Sequence, residues 1–268
     1  MNWFDLSGEV AVVIGGGGVL AGAVAEGLAD AGAKIAVLDL RPEGGEACAE
    51  RIRKAGGTAR FFPANAMEQA SLQAAHENVV RDLGGPTVLV SAAGGNDPKA
   101  TVTSDHPFER IPLENWRRNF DLNLVAGALL PAQEFGPGMV ARKKGSIINF
   151  ASVSAHLPLS RVVAYSAAKS AVLNLSRFLA REWAPHGVRV NTLTPGFFPA
   201  EQNRKLLFNE DGTPTDRTRA IWGHTPMGRF GEAHELVGAA LFLASPKASS
   251  FVTGTDIRVD GGFLSVTI

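Results

Sequence analysis

Glu9-Val10-Ala11-Val12-Val13-Ile14-Gly15-Gly16-Gly17-Gly18-Val19 runs from a β-branched apolar segment straight into four glycines. A short apolar run closed by glycine predicts a buried strand. The next segment, Val19–Gly32, carries Val24, Leu28 and Ala31 at helical spacing, and Lys34–Asp39 predicts a second strand. Strand, glycine turn, helix and strand make a βαβ unit, whose two strands lie parallel. A glycine run is also what any tight turn needs, but this one sits between a strand and a helix. There its backbone N–H groups and the helix N-terminus can face a pyrophosphate. Asp39 closes the second strand 24 residues after Gly15 (39 − 15). A carboxylate there accepts hydrogen bonds from the adenosine ribose and repels a 2′-phosphate. NAD is therefore expected in preference to NADP, although Arg41 is close enough in sequence to reach a 2′-phosphate. Gly15, Gly17, Gly18, Val19, Leu20 and Asp39 are the expected cofactor contacts from this unit.

The alternation continues outward. Strands are expected at Thr58–Pro63, Thr87–Ser91, Gly145–Ala151, Val188–Leu193 and Asp256–Val259. Helices are expected at Glu43–Gly56, Gln69–Leu83, Leu113–Phe135, Val162–Ala184 and Glu232–Ala244. Repeated strand-helix units predict one α/β domain over residues 1–268, a doubly wound, Rossmann-like parallel sheet with helices on both faces. The stretch at about 196–231 breaks the rhythm after a strand's carboxyl end, where ligands bind in such sheets, and is the expected substrate region. The chain is 45% hydrophobic and its 26 basic residues balance 26 acidic ones, so no general nucleic-acid or anionic-membrane binding is expected. The single Cys48 excludes an internal disulfide and fits a reducing compartment. Met1-Asn2-Trp3-Phe4-Asp5 is not a basic, apolar leader, and no apolar run spans a bilayer; the cytoplasm is the expected location. The six histidines show no H-x-x-x-H pair, so no metal is expected. Ser152 lacks the G-x-S-x-G setting of a hydrolase nucleophile.

The only tyrosine of the chain lies in Tyr165-Ser166-Ala167-Ala168-Lys169. Four residues on a helix bring phenol and ammonium to one face, where the cation favours the phenolate and lowers the tyrosine pKa. A phenol so tuned can trade a proton with a substrate oxygen. With Ser152, Asn123, the glycine turn, Asn191-Thr192-Leu193-Thr194-Pro195-Gly196 and Val259-Asp260-Gly261-Gly262, the chain resembles the short-chain dehydrogenase/reductase family from Gly8 to Gly262. The resemblance implies that Tyr165 moves the proton and that Lys169 tunes it and holds the nicotinamide ribose. Ser152 would bind the substrate oxygen, and Asn123 would place a water linking Lys169 to solvent. It adds Asn65, Ala66, Ala93, Gly94, Pro195, Gly196 and Phe198 to the cofactor contacts, and it implies a homotetramer. The chain departs from the family's TGxxxGxG turn with Ile14, Val19 and Ala21. Asn65 replaces an adenine-binding Asp, and Ala200 a carboxamide-binding Thr.

Three further stretches are similar to the D-mannonate oxidoreductase (fructuronate reductase) branch: Ala93-Gly94-Gly95-Asn96-Asp97-Pro98-Lys99-Ala100-Thr101, Pro195–Gly212 and His224–Gly231. That branch interconverts D-fructuronate and D-mannonate with NAD(H). A sugar acid needs cations for its carboxylate, best as arginine, and polar partners for its hydroxyls. Arg161, Arg204 and Lys99 are the candidate cations. Asn96, Gln202, Asn203 and His156 are the candidate hydroxyl partners. Arg204 and Lys99 also read as solvated surface charges, Arg161 as half of an ion pair, and His156 as a loop cap. Another polyol, sugar or keto acid is the alternative substrate. A catalytically silent nucleotide-binding protein is the alternative of a different class, motivated by Val19, Ala21 and Ala200.

Overall fold

The computed structural model describes residues 2–200 and 204–267, with Lys205 described by its backbone alone. Seven parallel strands form one sheet in the order β3-β2-β1-β4-β5-β6-β7. They are β1 (Val10–Ile14), β2 (Lys34–Asp39), β3 (Thr58–Pro63), β4 (Val88–Ser91), β5 (Gly145–Phe150), β6 (Val188–Pro195) and β7 (Asp256–Val259). Alternate residues of the central strands feed two cores. Ala11 and Val13 of β1 pack under α1 (Val19–Asp30), α2 (Pro42–Lys54) and α9 (Val237–Ala244). Val10, Val12 and Ile14 pack under α3 (Gln69–Asp82), α5 (Leu130–Arg142) and α6 (Val163–Trp183). Every residue of β1 is buried, as a strand covered on both faces requires. The expected doubly wound architecture is present. The order reverses between β1 and β4, the switch point at which such sheets bind ligands beyond their carboxyl ends. Among the described residues no helix is long and apolar enough to cross a membrane.

Two helices differ from the expectation. The segment read as Leu113–Phe135 runs on to Arg142, as α4 (Leu113–Phe120), a π-helical stretch (Asp121–Leu129) and α5. Gly136-Pro137-Gly138 reads as a stop signal. In the fold Gly136 is a packing position instead: a Cβ there would lie 2.4 Å from the Trp183 ring of α6. Phe135 and Met139 on either side are buried in the core, and that burial outweighs the hydrogen bond lost at Pro137. The segment read as Glu232–Ala244 opens as a 3₁₀ turn (Ala233–Leu236) with a Glu232/Glu235 capping box, and only then becomes α9.

Gly136→Ala is therefore expected to cost about 1–3 kcal/mol of stability through overpacking against Trp183. Chemical denaturation checks this; an unchanged midpoint would show that α5 and α6 can separate freely.

Candidate active site

A cleft of about 520 Å³ opens along the carboxyl edge of the sheet, from Asp39 at one end to Tyr165 and Gly196 at the other. The glycine turn forms one wall. Its room comes from a close approach that only glycines permit: a Cβ on Gly17 would fall 2.8 Å from the backbone of Gly44 and of Gly45 in α2. Asp39 holds this turn. Its Oδ2 accepts the Gly17 N–H at 3.0 Å and its Oδ1 the Arg41 N–H at 2.9 Å. The Arg41 side chain stays near the same carboxylate, Nε to Oδ1 3.5 Å. Asp39 thus has a structural duty beside the expected ribose role. Gly17 stands behind the turn and does not line the cleft, contrary to expectation; Gly15, Gly18, Val19 and Leu20 do line it. Val19 is 51% exposed at the start of α1, where it lines the cleft. No side chain caps α1, so its first-turn N–H groups remain for an anion.

At the other end β5 delivers Phe150 and Ser152, and α6 delivers Tyr165 and Lys169. Lys169 is 3% exposed and its Nζ donates to the Phe150 carbonyl at 2.8 Å. The ammonium lies 5.8 Å from the Tyr165 ring centroid, over the face rather than at the hydroxyl. Burial brings the Lys169 pKa down to about 8. Tyr165 differs from the expectation of a lowered pKa. Desolvation raises it, and the opposing hydrogen bond with Ser152 only moderates the rise. The lysine does not reverse this, because its head is turned to a carbonyl.

Asn123 is fully buried in the π-helical stretch. Its Oδ1 accepts the Gly95 N–H at 3.0 Å and its Nδ2 donates to the Gly95 carbonyl at 2.7 Å. The same Nδ2 also donates to the Asn119 carbonyl at 2.8 Å, the acceptor an α-helix would offer to the backbone of residue 123. A side chain inserted into the ladder in this way accounts for the π register. Asn123 clamps the strand-β4 loop beneath the cleft; it does not itself line it.

Ala66, Ala93, Gly94, Pro195, Gly196 and Phe198 line the cleft as expected. Gly94 is required there: a Cβ would sit 2.6 Å from Asn123 Oδ1 and 3.3 Å from Lys169 Nζ. Asn65 lines the cleft with its amide largely engaged, accepting the Met67 N–H at 3.1 Å and donating to Glu68 at 2.6 Å. Sequence reasoning missed Leu40 and Met67, exposed apolar side chains that line the cleft. The signal was Leu40 itself, an apolar residue between two charged ones just past a strand. Taken together, the uncapped helix, the close-packed turn, Asp39 and the cavity before Lys169 fit a nicotinamide dinucleotide.

Among the described residues, those expected to bind substrate do not line the cleft. Lys99 lines a separate hollow with His106 and Asn115, and Asn96 donates to Thr101 at 2.6 Å. Arg204 lies over the Phe208 ring, 5.8 Å from its centroid. His156 faces Asp256, Nε2 to Oδ2 3.0 Å, and is not a cleft residue. Gln202 and Asn203 lie outside the described residues. Arg161 is exposed, in the left-handed region at φ 75°, with its carbonyl accepting the Val102 N–H at 2.8 Å. Among the described residues neither it nor the neighbouring Arg217 has an acid partner; burial and the Arg161 charge together lower the Arg217 pKa.

The chain is similar to many known proteins. A family model described as Enoyl-(Acyl carrier protein) reductase matches residues 18–264. D-threitol dehydrogenase of Mycolicibacterium smegmatis is 36% identical over 97% of this chain and 94% of its own length. A Haemophilus influenzae structure with bound NAD, provisionally described as a D-mannonate oxidoreductase, superposes with a TM-score of 0.93 at 37% identity, covering 98% of this chain and 97% of that one. A Burkholderia cenocepacia gluconate 5-dehydrogenase in complex with NADP and tartrate gives a TM-score of 0.88 at 33% identity, covering 99% and 98%.

A buried ammonium with a depressed pKa penalises the folded state while it is charged. The unfolded chain holds that proton up to its ordinary pKa of 10.5, so stability rises with pH between about 8 and 10.5. Lys169→Met is therefore expected to be stabilised relative to the parent near pH 7, by up to about 3 kcal/mol, with the gap closing toward pH 10. Thermal unfolding of both cofactor-free proteins across that range checks the sign.

Proposed function

The chain belongs to the short-chain dehydrogenase/reductase family, oxidoreductases acting on CH–OH groups, and from that premise we propose that it interconverts D-fructuronate and D-mannonate with NAD(H). The observation that supports a sugar acid is the pair Arg161 and Arg217, two neighbouring guanidiniums without an acid among the described residues. Unneutralised adjacent cations repel each other, and a substrate carboxylate relieves that repulsion with bidentate hydrogen bonds. Arg161 stands four residues before Tyr165, at the loop entering α6. The likeness to the Haemophilus influenzae structure supports the same substrate class.

A bound nicotinamide supplies or accepts the hydride at the substrate carbon. In the reducing direction Tyr165 gives its phenolic proton to the carbonyl oxygen, and the Ser152 hydroxyl donates a hydrogen bond to that oxygen as charge develops. The Tyr165 phenolate left behind is stabilised by the Lys169 ammonium beside its ring, which the Phe150 carbonyl holds in place. In the oxidising direction the phenolate takes the proton from the alcohol. Asp39 favours NAD over NADP, since its carboxylate repels a 2′-phosphate and the Arg41 guanidinium lies near that carboxylate, Nε to Oδ1 3.5 Å. The family's homotetramer is part of the same proposal, read by light scattering.

A dehydrogenase of an uncharged polyol is the second reading, favoured by the D-threitol dehydrogenase relative. A silent nucleotide-binding protein is not favoured, because the Tyr165, Ser152 and Lys169 set is complete at the cleft floor.

Tyr165→Phe is expected to reduce turnover below a few per cent of the parent while NADH binding, by fluorescence titration, stays within about twofold. Retained turnover would remove Tyr165 from the chemistry. On a panel of hexonates, ketohexuronates and polyols, D-fructuronate is expected to be the best substrate. Arg161→Ala is expected to raise its KM about tenfold or more with little change in kcat. Comparable activity on uncharged polyols would favour the second reading.

A further inference from the structure

Ser152 is held at the start of a short turn whose far end is tied across the sheet. The Ser152 Oγ accepts the Ser154 N–H at 3.2 Å, and the Ser152 and Val153 carbonyls accept the N–H groups of Ala155 and His156 at 2.9 and 3.1 Å. Val153 and Ser154 are buried, so the turn is packed and compact. It ends at His156, whose Nε2 lies 3.0 Å from Asp256 Oδ2, with both side chains largely buried. Asp256 opens β7, and its Oδ1 accepts the hydroxyls of Thr192 at 2.7 Å and Thr194 at 2.6 Å. Arg258 is the other cation near the carboxylate, Nε to Oδ2 3.7 Å. Thr194 is followed directly by Pro195 and Gly196, which line the cleft. Asp256 therefore touches two walls of the site at once, the Ser152 turn through His156 and the end of β6 through Thr194.

The placement is unusual for a sheet interior. Ser91, Asn149, Thr192 and Asp256 occupy successive register positions across β4, β5, β6 and β7. A polar row costs stability unless its members are paired, and a buried carboxylate needs donors on both oxygens. Oδ1 has two hydroxyls; Oδ2 accepts no hydrogen bond, and its nearest cation is His156 Nε2, at ion-pair distance (3.0 Å) and itself without a hydrogen-bond partner among the described residues, with Arg258 farther off. We propose that His156 is a positioning residue: in protonated, ion-pair contact with Asp256, it anchors the turn carrying Ser152 and so fixes the Ser152 hydroxyl against Tyr165. The catalytic half of this inference rests on the oxidoreductase reading above; the anchoring half does not.

Two polar substitutions of different reach separate anchoring from mere tolerance of the site. His156→Gln has the reach to place an amide N–H against Asp256, whereas His156→Asn is too short. Hydrogen exchange of the turn at Val153–His156, read without substrate, is expected to rise about tenfold in His156→Asn and to stay near the parent in His156→Gln. On the best substrate of the panel, kcat is expected to fall about tenfold in the Asn variant with the NADH dissociation constant within about twofold, and to recover in the Gln variant. Equal exchange in the two variants would overturn the inference, as would a raised exchange with unchanged kcat. Absence of carbonyl turnover by the parent would instead remove the oxidoreductase reading and leave the exchange difference standing.

Discussion

A buried cation without a carboxylate is the constraint around which the site is arranged. Lys169 is all but inaccessible, and among the described residues its one direct hydrogen-bond partner is the Phe150 carbonyl. Withdrawing an ammonium from water costs several kcal/mol, so its surroundings must be fixed well enough to return part of that cost. The consequences spread outward. Gly94 cannot carry a side chain, because Lys169 and Asn123 occupy the space. Asn123 grips both backbone groups of Gly95, and in doing so pulls its own helix into a π register. Tyr165 packs its ring face toward the ammonium, which leaves its hydroxyl to Ser152 and the cleft.

The frame of the molecule was readable from periodicity. Strand-helix alternation, the glycine turn and Asp39 led to the sheet, its parallel sense and the cofactor end of the cleft. What was not readable depends on contacts between distant segments. Gly136-Pro137 has the composition of a helix stop, but Trp183 on α6 needs that glycine within the helix. The π stretch follows from an amide bonded to Gly95, twenty-eight positions away in sequence. Asp39 reads in sequence as a ribose ligand or a strand-end turn residue; its grip on Gly17 explains how the turn keeps its shape with Val19 and Ala21 in place of glycines.

The substrate side was least legible. Residue type nominated the right kinds of group, but type does not say where a side chain points. Arg204 lies over Phe208, Lys99 lines another hollow, and His156 is drawn to Asp256. Among the described residues Arg161 has no acid partner, and Arg217, which the sequence did not single out, becomes notable only because the fold brings it alongside. The polar row from Ser91 to Asp256 was hidden for the same reason, since each member looks like an isolated strand residue until the register aligns them.

The account turns on the protonation of one phenol, and the chain has one tyrosine to report it. Phenolate difference absorbance should place Tyr165 above the ordinary value of about 10 in the cofactor-free protein, because burial outweighs the Ser152 hydrogen bond. Saturating NAD⁺ should move it well below that value, as the cationic ring adds to the Lys169 charge. A phenol that titrates normally without cofactor and does not respond to NAD⁺ would contradict the account.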